Sequence, residues 1–262
     1  MTTLAFAGAG RIASVHALAA EALGVRVVEP PARADVVVVC SEVSRRAADA
    51  LAALQQGAAV IVEKPLCATL AEADALVEAA GGRLAYAENL AFAPVMVRAL
   101  AMAPSLGPLH HVEVRATQPE RTWGEVATAL LLAGEASPGS VSATVFTDER
   151  AGIRLEFGTG LVATIESSWV RDTSPVWDFQ AASATGVLRG QLLPAPGLEH
   201  NGDPVPLPPL RVRGAPAQLE QYGYVDQLRS FLDDFAAGRP PAVDAAFGRA
   251  VLRIVEAARA SL

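Results

Sequence analysis

Along the first 87 residues, short apolar runs alternate with stretches of helical periodicity. Leu4-Ala5-Phe6-Ala7 reads as a short buried strand, Gly8-Ala9-Gly10 as a turn, and Ile12 to Leu23 as a helix ended by Gly24. A second strand, Val25 to Glu29, is stopped by Pro30-Pro31. The β-branched run Val36-Val37-Val38-Val39 fits a parallel strand buried on both faces. An Ala-rich helix from Ser44 to Gln56, capped by Ser44 and closed by Gly57, leads to the strand Ala59-Val60-Ile61-Val62. Thr69 and Glu72 stand at capping-box spacing at the head of the next helix, and Leu84-Ala85-Tyr86-Ala87 closes the series as a strand. This alternation predicts a doubly wound parallel sheet with helices on both faces.

Beyond residue 88 the pattern changes. Phe92 to Ala101 predicts a helix. Strands come next at Leu109–Thr117, Ser140–Phe146, Ile153–Phe157, Leu161–Ser167, Asp178–Ala182 and Val187–Leu192. Gly158-Thr159-Gly160 is a hairpin turn between two of them. The Pro- and Gly-rich stretch 194–216 reads as a loop, and two helices, Leu219–Ala237 and Ala245–Ser261, end the chain. The expected organisation is a dinucleotide-binding domain over 1–88, then an α+β domain over 89–262 built on a mainly antiparallel sheet. The C-terminal helices are expected to pack back near the junction.

Hydrophobic residues make up 52 % of the 262 and charged residues 19 %, which excludes a disordered chain. No apolar stretch is long enough for a membrane helix, and the first residues lack the basic region of a secretory signal, so a cytoplasmic protein is expected. The net charge of −7 and scattered Lys and Arg argue against nucleic acid as a partner. Cys40 and Cys67 read as buried, reduced thiols, and the four histidines show no metal-ligand spacing. His16 reads as a packing histidine. His110 and His111, adjacent on a strand, point to opposite faces.

The candidate chemistry lies at two turns. Gly8-Ala9-Gly10-Arg11-Ile12-Ala13 joins the first strand to the first helix. Gly8 allows the tight turn, Gly10 lets the backbone approach a pyrophosphate, and Ala13 lets helix and strand pack closely. The amides around Arg11 and Ile12 then face the phosphates. Glu29 stands about 20 residues on, where an acid accepts hydrogen bonds from the adenosine ribose and repels a 2′-phosphate, favouring NAD over NADP. Arg11 and Arg33 keep NADP open. Val62-Glu63-Lys64-Pro65 places two charges at the carboxyl end of a buried strand, beside the crevice such sheets offer to ligands. Lys64 there is suited to donate a proton during hydride transfer, with a pKa expected to fall through burial and a positive nicotinamide. Ser41 and Asn89 come after neighbouring strands and join Glu63 and Lys64 as expected cofactor contacts; Tyr222 and Tyr224 are weaker candidates for the same crevice.

These pieces together resemble the Gfo/Idh/MocA oxidoreductases, the family of glucose-fructose oxidoreductase and inositol dehydrogenase. The resemblance rests on Gly8 to Ala13 with His16 beyond, on Val62-Glu63-Lys64-Pro65-Leu66, on Ala87-Glu88-Asn89 with Pro94, on Gly107 to Val112, and on Phe231 with Gly238-Arg239-Pro240-Pro241. It implies a Rossmann domain, a second domain with a large open sheet, and NAD(P)-dependent hydride transfer at a sugar, polyol or related carbonyl. It also implies pairing of the open sheets into homodimers or homotetramers. Two departures mark this chain as a shortened, divergent relative. Only Pro30 to Ala34 separate Glu29 from Asp35-Val36, too few for the usual helix and edge strand. The Asp-x-x-x-His pair common in such families falls near Glu120 and Gly124, so the histidine is absent and Glu120, Arg121 or Glu125 is left to fill part of its role. A non-catalytic dinucleotide-binding or scaffold relative is therefore the alternative reading.

Overall fold

A computed structural model describes residues 2–117, 123–135, 137–169, 174–214 and 216–262. The first elements in chain order are β1 (Thr3–Ala7), α1 (Arg11–Ala22), β2 (Arg26–Val27), β3 (Val36–Val39), α2 (Val43–Gln55), β4 (Ala59–Glu63), α3 (Leu70–Ala80) and β5 (Leu84–Ala87). Next come α4 (Pro94–Met102), β6 (Leu109–Thr117), α5 (Trp123–Ala133), β7 (Ser140–Phe146), β8 (Arg150–Glu156), β9 (Val162–Ser168), β10 (Trp177–Ser183), β11 (Val187–Leu193), β12 (Gly197–His200) and β13 (Asp203–Pro204). The chain closes with α6 (Pro216–Gln221), α7 (Tyr224–Ala236) and α8 (Ala245–Ala260). Among the described residues no helix is long and apolar enough to cross a membrane.

The chain divides into two compact units, 1–93 with 210–252, and 94–209 with 253–262. This differs from the expected boundary at residue 88 in two respects: residues 89–93 and residues 210–252 belong with the parallel sheet. The reason is packing, since α6 and α7 lie on α1, and α7 also lies on the 3₁₀ turn Asn89–Phe92.

The first unit is a five-stranded parallel sheet in the order β2-β1-β3-β4-β5. Every residue of β3 and β4 is buried, as a strand covered on both faces requires. Thr69 and Glu72 form the expected reciprocal capping box at α3. At α2 the expectation fails: the helix starts at Val43, and no side-chain cap is made there. Its first turn is anchored instead by the guanidinium of Arg46, whose Nη2 donates to Ser41 O at 2.9 Å. β2 keeps only two residues, pairing Thr3 with Arg26 and Leu4 with Val27. Pro30 and Pro31 supply no N–H for a longer ladder. A 3₁₀ turn over Pro31–Arg33 takes the place of a helix and edge strand.

The second unit is an eight-stranded sheet in the order β13-β12-β11-β10-β6-β9-β8-β7. All its pairings are antiparallel except β6 with β9, which run parallel at its centre, so the sheet is mainly antiparallel, as expected. α5 packs across β6 and β9, and α4 across β11 and β12. Val112, Val114, Ile165, Ala181 and Leu188 form the buried face, with Phe179 beside Gly190, where any Cβ would meet the ring. The opposite face is polar: Arg115 makes a bidentate pair with Asp178 at 2.9 and 3.0 Å. β12 and β13 correct the reading of 194–216 as a loop. Their turn is Asn201-Gly202, with φ of 55° and 90°, the two-residue hairpin signature.

Candidate functional site

The carboxyl ends of the parallel strands carry the candidate chemistry, all within the first unit. Gly8 lies in the β1–α1 turn at φ 108°, and a Cβ there would sit 2.5 Å from Ser41 N, so side-chain-free backbone is needed for the turn to lie against the loop after β3. Gly10 differs: at φ 111° a Cβ would meet nothing within 4 Å, so the turn faces open space at the start of α1. Gly10 is the helix N-cap without a side-chain cap, and the first turn holds no acidic residue. Ser14 N is the donor that returns to Gly10 O, leaving the amides before it directed along the axis. Such a cradle suits a diphosphate. Arg11 is exposed in the first turn, Ile12 is half-buried, and Ala13 is buried against the sheet. Glu29 is exposed just beyond β2. The residues therefore fit the diphosphate half of a dinucleotide, while the adenosine side has only the Pro31–Arg33 turn where a longer chain would build a wall.

Lys64 is the sole lysine of the sequence, against twenty arginines. An arginine never gives up its proton, whereas an ammonium can. The chain thus keeps its one primary side-chain amine at the end of β4. Lys64 Nζ donates to Glu88 Oε1 at 3.0 Å and to Asn89 Oδ1 at 2.9 Å, and its side chain is 15 % exposed. Asn89 Nδ2 donates to Tyr222 O at 2.8 Å, so the amide is oriented by the α6–α7 turn. Burial by itself pushes the Lys64 ammonium down, but the charge of Glu88, followed by those of Tyr224 and Glu63, outweighs it and holds the group above the ordinary lysine value. The expected fall of this pKa is corrected by that counter-ion, which sequence reasoning missed.

Glu63, expected as a cofactor contact, is buried and has both carboxylate oxygens engaged inside the protein. Oε1 lies 2.8 Å from His16 Nε2, and Oε2 accepts from Lys64 N at 3.0 Å. Burial pushes its carboxyl up, yet the hydrogen bond and charge of His16, with those of Lys64, bring the net below the usual carboxylate range. His16 is thus more than packing: it fixes Glu63 and meets the ring of Tyr224 edge-on at 5.9 Å.

A second residue missed by sequence reasoning is Arg46, only 6 % exposed. Its guanidinium donates to Ser41 O, Glu63 O and Pro65 O, tying the loop after β3 to the loop after β4. Nothing in the periodicity distinguishes it from its neighbour Arg45, which is exposed. Arg46→Ala would leave three carbonyls short of a charged donor. Thermal or urea unfolding is expected to show a loss of about 3 kcal/mol, and a loss under about 0.5 kcal/mol would mean the clamp is idle.

Four buried side-chain atoms at this end of the sheet have no protein hydrogen-bond partner among the described residues: Ser41 Oγ, His16 Nδ1, Tyr86 Oη and Glu88 Oε2. Buried polar atoms are nearly always paired, so this concentration marks a polar site. Cys40 lies beside it, its thiol pushed up to about 12 by burial and then by Glu63, which makes it inert. Of the remaining candidates, Glu120 and Arg121 lie outside the described residues. Gly124 and Glu125 are both buried in the first turns of α5. His111 Nε2 lies 3.4 Å from Thr164 Oγ1, while Trp169 is half exposed.

Residues 24–83 match the family model described as "Oxidoreductase family, NAD-binding Rossmann fold". Comparison with curated proteins returned no match. Among solved structures, the chain is similar to a putative myo-inositol dehydrogenase from Sinorhizobium meliloti, with a TM-score of 0.81, 20 % identity, and 100 % of this chain and 97 % of that one covered. It is similar to the UDP-N-acetylglucosamine 3-dehydrogenase GnnA from Acidithiobacillus ferrooxidans, with a TM-score of 0.80, 21 % identity, and 100 % and 97 % covered. GenD2 from gentamicin A biosynthesis, solved in complex with NAD, gives a TM-score of 0.80 at 22 % identity over 99 % of this chain and 93 % of that one. These likenesses establish the two-part fold.

Proposed function

We propose that this chain, whose residues 24–83 carry the NAD-binding Rossmann fold of the Gfo/Idh/MocA oxidoreductases, is a nicotinamide-dependent oxidoreductase acting on a small, sugar-like or polyol carbonyl or hydroxyl group. The observation that carries this reading is the placement of the chain's one lysine, held by Glu88 and Asn89 at the end of β4, in the same sheet edge as the uncapped glycine turn. A bound nicotinamide dinucleotide supplies hydride transfer. The first-turn amides of α1 grip its diphosphate, with Gly8 and Gly10 leaving the backbone free to approach. Glu29 takes the ribose hydroxyls. Ser41, with its unpartnered Oγ, offers a hydrogen bond from the loop after β3. Lys64 directs an N–H at the substrate oxygen and stabilises, then neutralises, the charge that develops there. Glu63 acts behind it, fixing the Lys64 backbone. The helix-free face of the second sheet serves as the contact in a homodimer or homotetramer.

Fluorescence titration tests the cofactor half. NADH is expected to bind about tenfold more tightly than NADPH because Glu29 opposes a 2′-phosphate, and Glu29→Ala should erase that preference. Equal binding of both by the unaltered protein would reject the role of Glu29, and binding of neither at millimolar concentration would reject the reading.

A second reading is kept by one observation: Gly124 stands where the resemblance puts a catalytic histidine. A chain that binds dinucleotide but turns over no carbonyl across a panel of aldoses, ketoses and inosose-type ketones would be a binding relative rather than an enzyme.

A further inference from the structure

Among the described residues the first unit holds three buried carboxylates, and two of them are satisfied. Glu220 accepts from two backbone N–H donors, Arg211 N, which reaches both oxygens, and Val212 N, at 2.7–2.8 Å. Glu63 has a partner on each oxygen. Glu88 is different. It is 0 % exposed, its Oε1 accepts from Lys64 Nζ at 3.0 Å and Leu90 N at 3.4 Å, and its Oε2 has no partner among the described residues. A buried carboxylate kept only for structure needs both oxygens hydrogen-bonded, because each unmet lone pair carries a desolvation penalty. Here one oxygen steers the only side-chain amine of the chain and the other has no hydrogen-bond partner among the described residues.

Resting on the oxidoreductase reading above, we propose that Glu88 is the positioning residue that stands in for the absent histidine, holding Lys64 as an ammonium aimed by Asn89 and drawing it back to that form after each turnover. When a carbonyl carbon gains a hydride from reduced nicotinamide, its oxygen receives the π pair and takes one proton from the Lys64 ammonium. Lys64 is left as a neutral amine and, being 15 % exposed, takes its proton back from solvent, with the charge of Glu88 favouring the ammonium and restoring the ion pair. In the oxidative direction the same proton leaves by the same route. Other charged or titratable groups face this pair from the elements around it. They are Glu63 on β4, Tyr86 on β5 and Tyr224 on α7, with His16 of α1 and Arg46 of α2 acting on Glu63. Among the described residues, only Glu88 touches the ammonium with a carboxylate.

The single lysine makes the test direct. Protein labelled with ¹⁵N and ¹³C in lysine alone gives one side-chain Nζ signal, read without cofactor or activity. In the unaltered chain Lys64 is expected to titrate above the free-lysine value of about 10.4. In Glu88→Gln the titration should fall by about 1–3 pH units, the effect of losing an adjacent opposite charge, and Glu88→Asp should restore most of it. In turnover, Glu88→Gln should lower kcat for carbonyl reduction at least about tenfold with KM within about threefold, and shift the alkaline limb of the pH profile down in step with the Lys64 signal. Titration of the unaltered chain at or below the free-lysine value overturns the proposal even if no variant folds. So does an unchanged Lys64 signal in Glu88→Gln in an active enzyme, which leaves the oxidoreductase reading intact. Shifted titration in a chain that reduces no carbonyl upholds the ion pair and rejects the oxidoreductase reading with the turnover role that rests on it.

Discussion

Lys64→Met is expected to lower the rate of hydride transfer by about 10²–10⁴-fold, the usual contribution of a positioned proton donor, while NADH affinity changes little. Methionine keeps the length and apolar stem of lysine and removes the ammonium. It also strands Glu88, which is fully buried, so the single variant should lose stability as well. Lys64→Met combined with Glu88→Gln removes both charges and separates the two effects: stability should recover and activity should not. Lys64→Arg retains the charge but cannot release a proton at any working pH, and the larger planar group does not fit an amine's geometry; it should be nearly as inactive as the methionine variant. The pH dependence comes from the direction of the Lys64 shift. A group held above its ordinary value stays protonated through the neutral range, so reduction should be flat there and decline only in strong alkali, while oxidation should speed up as pH rises. Single-turnover oxidation of NADH by a reducible carbonyl measures all of this. A methionine variant within about tenfold of the unaltered rate would remove Lys64 from the chemistry.

Gly223→Ala should be the most damaging small substitution in the first unit. Gly223 has φ 84° between α6 and α7, and a Cβ there would lie 2.0 Å from Asn89 O, 2.6 Å from Ala93 N and 2.8 Å from Phe92 C. All three atoms are backbone, so no side-chain rotation relieves the clash. Left-handed strain adds to overpacking, and the sum is about 3 kcal/mol or more, seen as a Tm lowered by roughly 6 °C or more. Gly24→Ala is the control: it has φ 65° but nothing within 4 Å, so it isolates the conformational part, about 1 kcal/mol. Because the displaced Asn89 is the residue that orients Lys64, turnover in Gly223→Ala should drop further than the folded fraction does. Equal effects of the two alanines on stability would mean that the α6–α7 turn yields freely and does not hold Asn89.

The parallel sheet was legible because its signals are local. The valine run of β3, the Thr69–Glu72 box and the glycine turn each arise from a few neighbouring residues. β12 and β13 were missed: Asn201-Gly202 marks a hairpin, but the surrounding prolines masked it. The membership of α6 and α7 was not legible, because it depends on how they pack on α1 and the Asn89–Phe92 turn, partners more than 120 residues away in sequence. The site divides in the same way. Gly8, Gly10 and Lys64 are named by a motif, and the uniqueness of the lysine is open to anyone who counts residues. Arg46 and Glu88 owe their roles to burial and to neighbours brought in by other elements: an arginine on an amphipathic helix and a glutamate after a strand carry no local mark of being buried. The pKa of Lys64 ran opposite to expectation for the same reason, since burial was foreseeable and its counter-ion was not.

The most direct test of the proposed site is the lysine Nζ signal of the labelled chain as NAD⁺ is added. A nicotinamide ring seated beside the end of β4 predicts a saturable displacement of that one resonance, with a midpoint equal to the dissociation constant found by fluorescence. NAD⁺ that saturates the protein and leaves the Lys64 signal where it was would place the cofactor elsewhere and contradict the assignment.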